Sequence, residues 1–278
     1  MTKKRILVLS SILLAVLLLL GIMALVMMRP HIAQKMVDAI EANDYDTLQE
    51  LCEKHPKAIN TAPTVLPLFL RRLMDAAAVH TPLQVAAQNG RYEMVQLLLL
   101  HGADVNLQDD LLHDTPLNRA LAGNAPGKYE VANLLLKNGA NVTLRRQNND
   151  DYDALGAFLL GASKAFSADE ESLFYYMLTL VDKQSYDYGN LLETAILFNR
   201  TKALSLLAED EGFDINRYSC HGTTPLIYAC QVATAQYETV ATLLQCGADK
   251  TAKDKSGKTA YDYAVESEMK DIAELVKP

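Results

Sequence analysis

Apolar positions in this chain recur in short runs with helical spacing, and the same run returns along the sequence. Three copies are clear: RYEMVQLLLLHGADVN at 91–106, KYEVANLLLKNGANVT at 128–143 and QYETVATLLQCGADKT at 236–251. Each copy carries Tyr-Glu near its start, two or more leucines in the middle, and a glycine followed by Ala-Asp or Ala-Asn. The wide apolar stripe predicts an amphipathic helix. The glycine predicts its end, because glycine readily adopts the left-handed conformation of a helix C-cap.

A shorter apolar segment precedes each of these helices and begins with Thr-Pro-Leu, at 81–83, 115–117 and 224–226. The threonine hydroxyl can cap a helix start, and proline fits the first helical turn. In the first segment Leu83, Ala86 and Ala87 share one helical face. Their small size lets a neighbouring helix approach closely. Each unit is therefore predicted to be a pair of helices joined by a turn.

The units recur at a nearly constant spacing. The residue that opens each short helix lies at 83, 117, 155, 192, 226 and 261, so the steps are 34, 38, 37, 34 and 35 residues. A period of this size indicates stacked units that shield one another's apolar faces. The copy over 155–181 is poorly marked and lacks the terminal glycine. We expect it to be the weakest part of the stack.

The pattern of Thr-Pro-Leu, paired alanines, a leucine run and Gly-Ala-Asp-Val-Asn resembles the ankyrin repeat. The resemblance covers roughly residues 35–277 and implies an all-α solenoid of helix-turn-helix units with hairpin loops. The family's histidine after Thr-Pro-Leu is replaced by Gln84, Asn118 and Ile227. That histidine usually ties a hairpin to a neighbouring repeat, so these ties are expected to differ or to be weaker here.

The resemblance also suggests how the chain is organised. A basic tail at 1–5 and a transmembrane helix at 6–28 precede a repeat domain at 29–278. Within that domain we expect an N-terminal cap at 33–60, an insertion at 61–79, about five repeats over 80–253 and a C-terminal cap at 254–278. The apolar residues of the insertion fit either a partner site or a helix folded over the first repeat, and the second interpretation is favoured.

Residues 6–28 contain no charged side chain. Twenty-three helical residues extend about 34 Å, enough to cross a bilayer core of about 30 Å. The stretch is longer than the apolar region of a cleavable signal, and no small-residue cleavage site follows it, so an uncleaved anchor is favoured over a removed signal. Lys3, Lys4 and Arg5 precede it, whereas Arg29 and Lys35 follow. The charge difference predicts a cytoplasmic N-terminus and a repeat domain on the outer face of the membrane.

Charge and cysteine content restrict the partners. Past residue 30 the chain has 22 Lys and Arg (26 minus four) and 34 Asp and Glu, a net charge of −12. No basic stripe is present to follow a phosphate backbone, so nucleic acid is not an expected partner. The cysteines have no zinc-site spacing. Cys230 is predicted to pack in a core, and Cys220 could pair with Cys246 if the domain lies outside the membrane.

No motif for catalysis stands out. The sequence lacks a glycine-rich phosphate loop, an HExxH pair and a nucleophile elbow, and its six histidines are isolated. The acidic segment NNDDYD at 148–153 lacks the glycine and the closing glutamate of a calcium loop. We therefore predict no enzyme activity, no metal and no cofactor.

The leading hypothesis is a membrane-tethered scaffold that binds another protein. The alternative is a subunit of a membrane complex whose transmembrane helix also makes specific contacts, although that helix has no Gly-xxx-Gly motif. The candidate contact residues lie on hairpins and short helices: Gln84, Gln88, Asn106, Asp109, Asp110, His113, Asn118, Arg145, Tyr218, His221, Tyr228 and Gln231. An aromatic cluster in the weak copy is predicted to fill a core that lacks alanines, with a partner interface as the other possibility. It comprises Phe158, Phe166, Phe174, Tyr175 and Tyr176.

Overall fold

The computed structural model describes residues 31–63, 79–145, 152–163, 165–183, 186, 188–210, 212–219, 222–232 and 236–278. These residues form fourteen α-helices and one short 3-10 helix, without a strand among them. The helices are α1 (31–41), α2 (Tyr45–Lys54), α3 (Pro82–Gln88), α4 (Tyr92–Leu100), α5 (Pro116–Ala122), α6 (Lys128–Lys137), α7 (Ala154–Gly161), α8 (Ala168–Thr179), α9 (Tyr188–Leu197), α10 (Thr201–Ala208), α11 (Pro225–Gln231), α12 (Tyr237–Gln245), α13 (Ala260–Glu266) and α14 (Lys270–Val276).

The predicted helix starts and stops are confirmed. Thr81, Thr115 and Thr224 each accept a hydrogen bond from the third N–H of the helix that they cap, at 3.4, 3.1 and 3.4 Å. Proline follows each threonine in the first turn. The glycines that end α4 and α6, Gly102 and Gly139, both have a φ of +86°. In the units that carry the recurring motif, the motif therefore sets where the helix pair begins and where it ends.

The helices form two rows. The inner row contains α3, α5, α7, α9, α11 and α13, and each of these packs on the next. The outer row is made of α2, α4, α6, α8, α10, α12 and α14, and each outer helix from α4 onward packs on the inner helix before it. The apolar core lies between the rows, where Leu83, Leu98, Leu117 and Leu135 are at most 1% exposed. The all-α stack predicted from the period is confirmed.

The outer row has one weak junction. Neighbouring outer helices pack on each other from α2 to α8 and again from α10 to α14, but α8 and α10 make few contacts. Lys202 of α10 bridges that gap with a salt bridge of 2.9 Å to Glu171 of α8. The guanidinium of Arg200 also donates a 2.8 Å hydrogen bond to the carbonyl oxygen of Leu159, at the end of α7. Polar contacts thus replace helix packing at this point of the outer row.

The aromatic cluster is only partly a core. The ring of Phe158 lies 5.2 Å from that of Phe166 and 5.3 Å from that of Phe174, between ring centres. Phe158 and Phe174 are fully buried, as predicted. The prediction is wrong for Tyr175 and Tyr176, which are 59% and 38% exposed. Both tyrosines lie on the outward side of α8. The inward side of this helix carries Leu173, Phe174 and Leu178.

Several predicted features lie outside the described residues. They include the basic tail, the transmembrane segment at 6–28 and most of the insertion at 61–79. Within the described part of the chain, no helix has the length and apolar character needed to cross a membrane. Cys230 is fully buried, which confirms its predicted core position. Cys246 is a free thiol, and Cys220 lies outside the described residues.

Candidate binding surface

Gln84 stands where the family has a histidine, and its side chain holds both arms of the first hairpin loop against the stack. Its side-chain nitrogen donates hydrogen bonds of 3.0 and 2.8 Å to the carbonyl oxygens of Leu107 and Asp114. Its side-chain oxygen accepts a 2.7 Å bond from the N–H of Thr81. Gln84 is fully buried. The tie differs from the family's but is complete, and the prediction that Gln84 contacts a partner is wrong.

Asn118 occupies the same place one repeat later and makes a weaker tie. Its shorter side chain donates one bond of 3.4 Å to the carbonyl oxygen of Leu144. Its side-chain oxygen is buried and has no hydrogen-bond partner among the described residues. Asn118 is 1% exposed. Because it is buried, Asn118 belongs to the stack, as Gln84 does. The prediction that Asn118 contacts a partner is wrong.

Asp109 holds the shape of the first hairpin. Its carboxylate accepts bonds of 3.0 and 2.6 Å from the N–H groups of Leu111 and Leu112. Burial alone would raise the pKa of Asp109, but the imidazole of His80, 3.7 Å from the carboxylate, and the hydrogen bonds from these N–H groups outweigh it and hold the pKa below its usual value. Asp109 is only 4% exposed. Its predicted role as a partner contact is therefore wrong.

Asparagine side chains link successive repeats along the hairpin edge. Each donates to the carbonyl oxygen of the glycine that ends the next outer helix: Asn60 to Gly102, Asn106 to Gly139 and Asn216 to Gly247, at 3.0, 3.0 and 3.1 Å. Their oxygens accept bonds of 2.7–2.8 Å from the backbone two residues beyond each glycine. Asn106 was predicted to contact a partner, and its described contacts are these structural links. Asn60 and Asn216 were missed, although they occupy the same place in the motif.

The remaining candidates divide into exposed and half-buried residues. Gln88, Asp110, Tyr218 and Gln231 are exposed, whereas His113, Arg145 and Tyr228 are half-buried. His221 lies outside the described residues. We call the side of the stack formed by the inner helices and the hairpins the inner face. It carries these seven candidates together with Asn106, which is also half-buried.

Contacts between repeats connect several of these side chains on the inner face. Arg119 of α5 donates a hydrogen bond to Gln88 of α3 and lies 3.4 Å from a carboxylate oxygen of Asp114. Farther along, the side chain of Gln231 on α11 lies near the hydroxyl of Tyr263 on α13. Arg119 was missed because an arginine at the fifth place of Thr-Pro-Leu-Asn-Arg is ordinary for a helix. Polar side chains of neighbouring inner helices therefore approach each other at two places on the inner face.

Tyr228 and Arg145 sit beside charged neighbours. Burial raises the pKa of the Tyr228 hydroxyl, and the carboxylate of Glu193 on α9 adds to the effect. Asp153 caps α7 and accepts a 2.5 Å bond from the hydroxyl of Tyr186. Burial raises the pKa of Asp153, and the positive charge of Arg145 opposes that rise. Asp153 is only 4% exposed, so its carboxylate has no open side for a substrate.

A second buried polar cluster closes the third repeat. Glu170 accepts bonds of 2.9 and 2.7 Å from the N–H groups of Ser163 and Ser167. Burial would raise the pKa of Glu170, but hydrogen bonds from the Ser163 and Tyr129 hydroxyls and from these N–H groups lower it to about 2. A carboxylate so firmly ionised is a poor proton donor at neutral pH. Glu170 therefore acts as a helix cap and not as an acid catalyst.

The open spaces next to the described residues are shallow. A groove of about 590 Å³ lies between α2 and α4 on the outer side, lined among others by Tyr45, Met94 and Leu100. Within the described ranges, no three His, Cys, Asp or Glu side chains are arranged to hold a metal ion.

The comparisons with known proteins agree with this architecture. The family model for ankyrin repeats in three copies matches residues 36–146, 162–254 and 194–277. A search of curated proteins finds no match. Among solved structures, the human ASB11 ankyrin repeat domain is 20% identical, with a TM-score of 0.61, over 87% of this chain and 97% of that one.

A second solved structure is the Bd0816 predatory endopeptidase from Bdellovibrio bacteriovorus in complex with the immunity protein Bd3460. The match is 23% identical, with a TM-score of 0.45, and covers 87% of this chain and 96% of that one. The likeness to the ASB11 domain concerns the fold alone because the identity is low, and no conclusion is drawn from the second match. The family model covers most of the described residues and agrees with the observed stack of helix pairs. The chain belongs to the ankyrin repeat family.

Proposed function

We propose that this protein is a membrane-tethered binding module whose inner face holds a partner protein and performs no catalysis itself. Ankyrin repeats are protein-interaction modules, and the chain has the repeats throughout its described length. The observation that carries the proposal is the continuity of the inner face over six inner helices. Exposed polar side chains lie along that face, whereas the carboxylates of Asp153 and Glu170, whose pKa values are shifted, are buried in the stack.

The proposed contacts are those inner-face candidates that solvent reaches. Tyr218 and Tyr228 are the strongest of them, because tyrosine contributes more binding energy than most residues at protein interfaces. The others that the structure describes are Gln88, Asp110, His113, Arg145 and Gln231; His221, which lies outside the described residues, stays a candidate from the sequence. Gln84, Asp109 and Asn118 are excluded because they are buried.

The membrane attachment rests on the sequence alone. Residues 6–28 are uncharged and long enough to span a bilayer, and the charges around them favour an outer location for the repeats. Deleting these residues should move the chain from the membrane fraction to the soluble fraction. A deleted chain that stays with membranes would contradict the proposed anchor.

Substitution of one tyrosine on each side of the stack tests the inner face. We expect Tyr228→Ala to weaken capture of the partner by the full chain from solubilised membranes by at least about tenfold, the usual size of a strong interface contact. The matched control is Tyr175→Ala, because Tyr175 is 59% exposed on the outer helix α8. Loss of capture with Tyr175→Ala and not with Tyr228→Ala would contradict the proposal.

A further inference from the structure

The last hairpin carries a concentration of positive charge in a domain that is otherwise acidic. Residues 250–258 read KTAKDKSGK, with four lysines and one aspartate. The repeat domain as a whole has a net charge of −12, counted past residue 30 as 22 minus 34. Because charges more than about 8 Å apart are largely screened at physiological salt, a nearby ligand responds to the local lysines and not to the distant excess of acid.

The acidic groups of this hairpin are used within it. Asp254 accepts bonds of 2.8 and 3.0 Å from the N–H groups of Ser256 and Lys258, and a 2.5 Å bond from the hydroxyl of Tyr263. Asp249 accepts bonds of 2.8 and 2.7 Å from the N–H and the hydroxyl of Thr251. Both carboxylates shape the turn, so they are poorly placed to neutralise the lysines that project from it.

Two of the four lysines have partners in the stack, and two project from it. Lys258 forms a 2.7 Å salt bridge with Glu266 of α13. Lys250 donates to the carbonyl oxygen of Lys277, at 3.4 Å. Lys253 and Lys255 are exposed. Lys253 lies near the carboxylate of Asp262, and both ammonium groups remain open to solvent.

The hairpin of the fifth repeat lies directly beside this one and adds to the same surface. The hydroxyl of Tyr218 donates a 3.0 Å bond to the carbonyl oxygen of Lys253. The stem of Lys255 lies over Gly222, where an added Cβ would meet its Cε at 2.3 Å. Arg217 is exposed next to Tyr218, which is itself 50% exposed. Three exposed cationic side chains and one exposed tyrosine therefore lie on two adjoining hairpins.

We propose that this surface, which we call the basic edge (Arg217, Tyr218, Lys253 and Lys255), binds an acidic segment of the partner protein. The proposal rests on the proposed function and specifies the chemistry of the partner. Arginine can hold a carboxylate through two parallel hydrogen bonds, and lysine adds point charges without a fixed geometry. The tyrosine supplies the apolar area that a purely ionic contact lacks. Complementary charge would speed association and select against basic partners.

Other anionic ligands fit this surface less well. A protein that binds nucleic acid typically neutralises more phosphates than three side chains can reach. A bilayer surface that is rich in anionic lipid would repel the remaining charge of the domain. An acidic protein segment meets none of these difficulties.

The test uses the full chain in phosphatidylcholine nanodiscs and a fluorescent twelve-residue peptide rich in glutamate. Binding is followed by fluorescence anisotropy. We expect the triple variant Arg217→Glu, Lys253→Glu, Lys255→Glu to raise the Kd for the peptide about tenfold. The matched control, Lys54→Glu, Lys137→Glu, Lys270→Glu, changes the net charge equally on exposed positions elsewhere and should change the Kd less than about twofold. Circular dichroism should show that both variants are folded.

Four results would overturn the proposal. The first two are an equal loss of peptide binding in both variants, and equal binding of a peptide that has glutamine in place of glutamate. The other two are tighter binding to phosphatidylserine vesicles or single-stranded DNA through the same residues, and self-association that the triple variant abolishes. The proposed function is judged separately. If the triple variant still captures a partner from membranes and Tyr228→Ala does not, the acidic-segment proposal fails while the binding module stands.

Discussion

At the scale of single residues, polar side chains of this repeat family serve either the stack or its surface, and the sequence does not distinguish the two roles. Gln84 and Asn118 stand at the same place after Thr-Pro-Leu, and both are buried. The longer glutamine reaches two carbonyl oxygens, whereas the asparagine reaches one at 3.4 Å. The prediction of surface contacts failed here because a hydrogen-bond partner in a folded hairpin can lie about thirty residues away.

Gln84→Ala should destabilise the protein by about 2–3 kcal/mol, since the carbonyl oxygens of Leu107 and Asp114 would be left buried without a donor. Urea denaturation of the full chain measures this change. Gln96→Ala is the control, because Gln96 is exposed on α4 and should cost less than about 0.5 kcal/mol. Equal effects of the two substitutions would show that Gln84 is not a structural tie.

The carboxylate of Glu170 should make the third repeat sensitive to acid. Its pKa is about 2 in the folded chain and 4.5 without the fold, so its contribution to stability is present above pH 4.5 and is lost as the pH falls towards 2. The stability difference between the wild type and Glu170→Gln should therefore shrink by about 2 kcal/mol from pH 7 to pH 3. A difference that stays constant over this range would contradict the depressed pKa.

At the scale of elements, prediction succeeded wherever the local signal was complete. Thr-Pro-Leu and the terminal glycine fixed the ends of α3–α6, and these ends are where the sequence placed them. The third repeat lacks both signals. Its outer helix begins instead with a capping box between Ser167 and Glu170, a signal that is visible in the sequence as Ser-x-x-Glu. Contacts between repeats, such as the asparagine links, could not be predicted from one unit.

The third repeat should open before its neighbours. The outer helices α8 and α10 make few contacts. No asparagine link to this repeat appears among the described residues. The side-chain oxygen of Asn141 accepts hydrogen bonds from the N–H and the hydroxyl of Thr143 instead. Hydrogen exchange should therefore be faster in α8 than in α4 or α6, because local stability follows local packing. Uniform protection across the outer row would contradict this interpretation of the weak junction.

At the scale of the whole molecule, the repeat period alone was enough to predict an all-α stack, because each unit can bury its apolar face only against the next. The binding surface was predicted less well. Tyr218, Tyr228 and the exposed glutamines of the inner face are accessible as expected, but three other candidates are buried. The basic edge was missed because its residues come from two hairpins that are adjacent only in the folded chain.

The claim that most depends on this architecture is that partners bind the inner face. A photo-crosslinking residue placed in turn at Gln88, Tyr228 and Gln231, and at the outer positions Gln96, Tyr175 and Tyr237, tests it directly in intact membranes. We predict that the same partner protein is crosslinked from all three inner positions and from none of the outer ones. Crosslinks that form from the outer positions, with none from the inner face, would contradict the account.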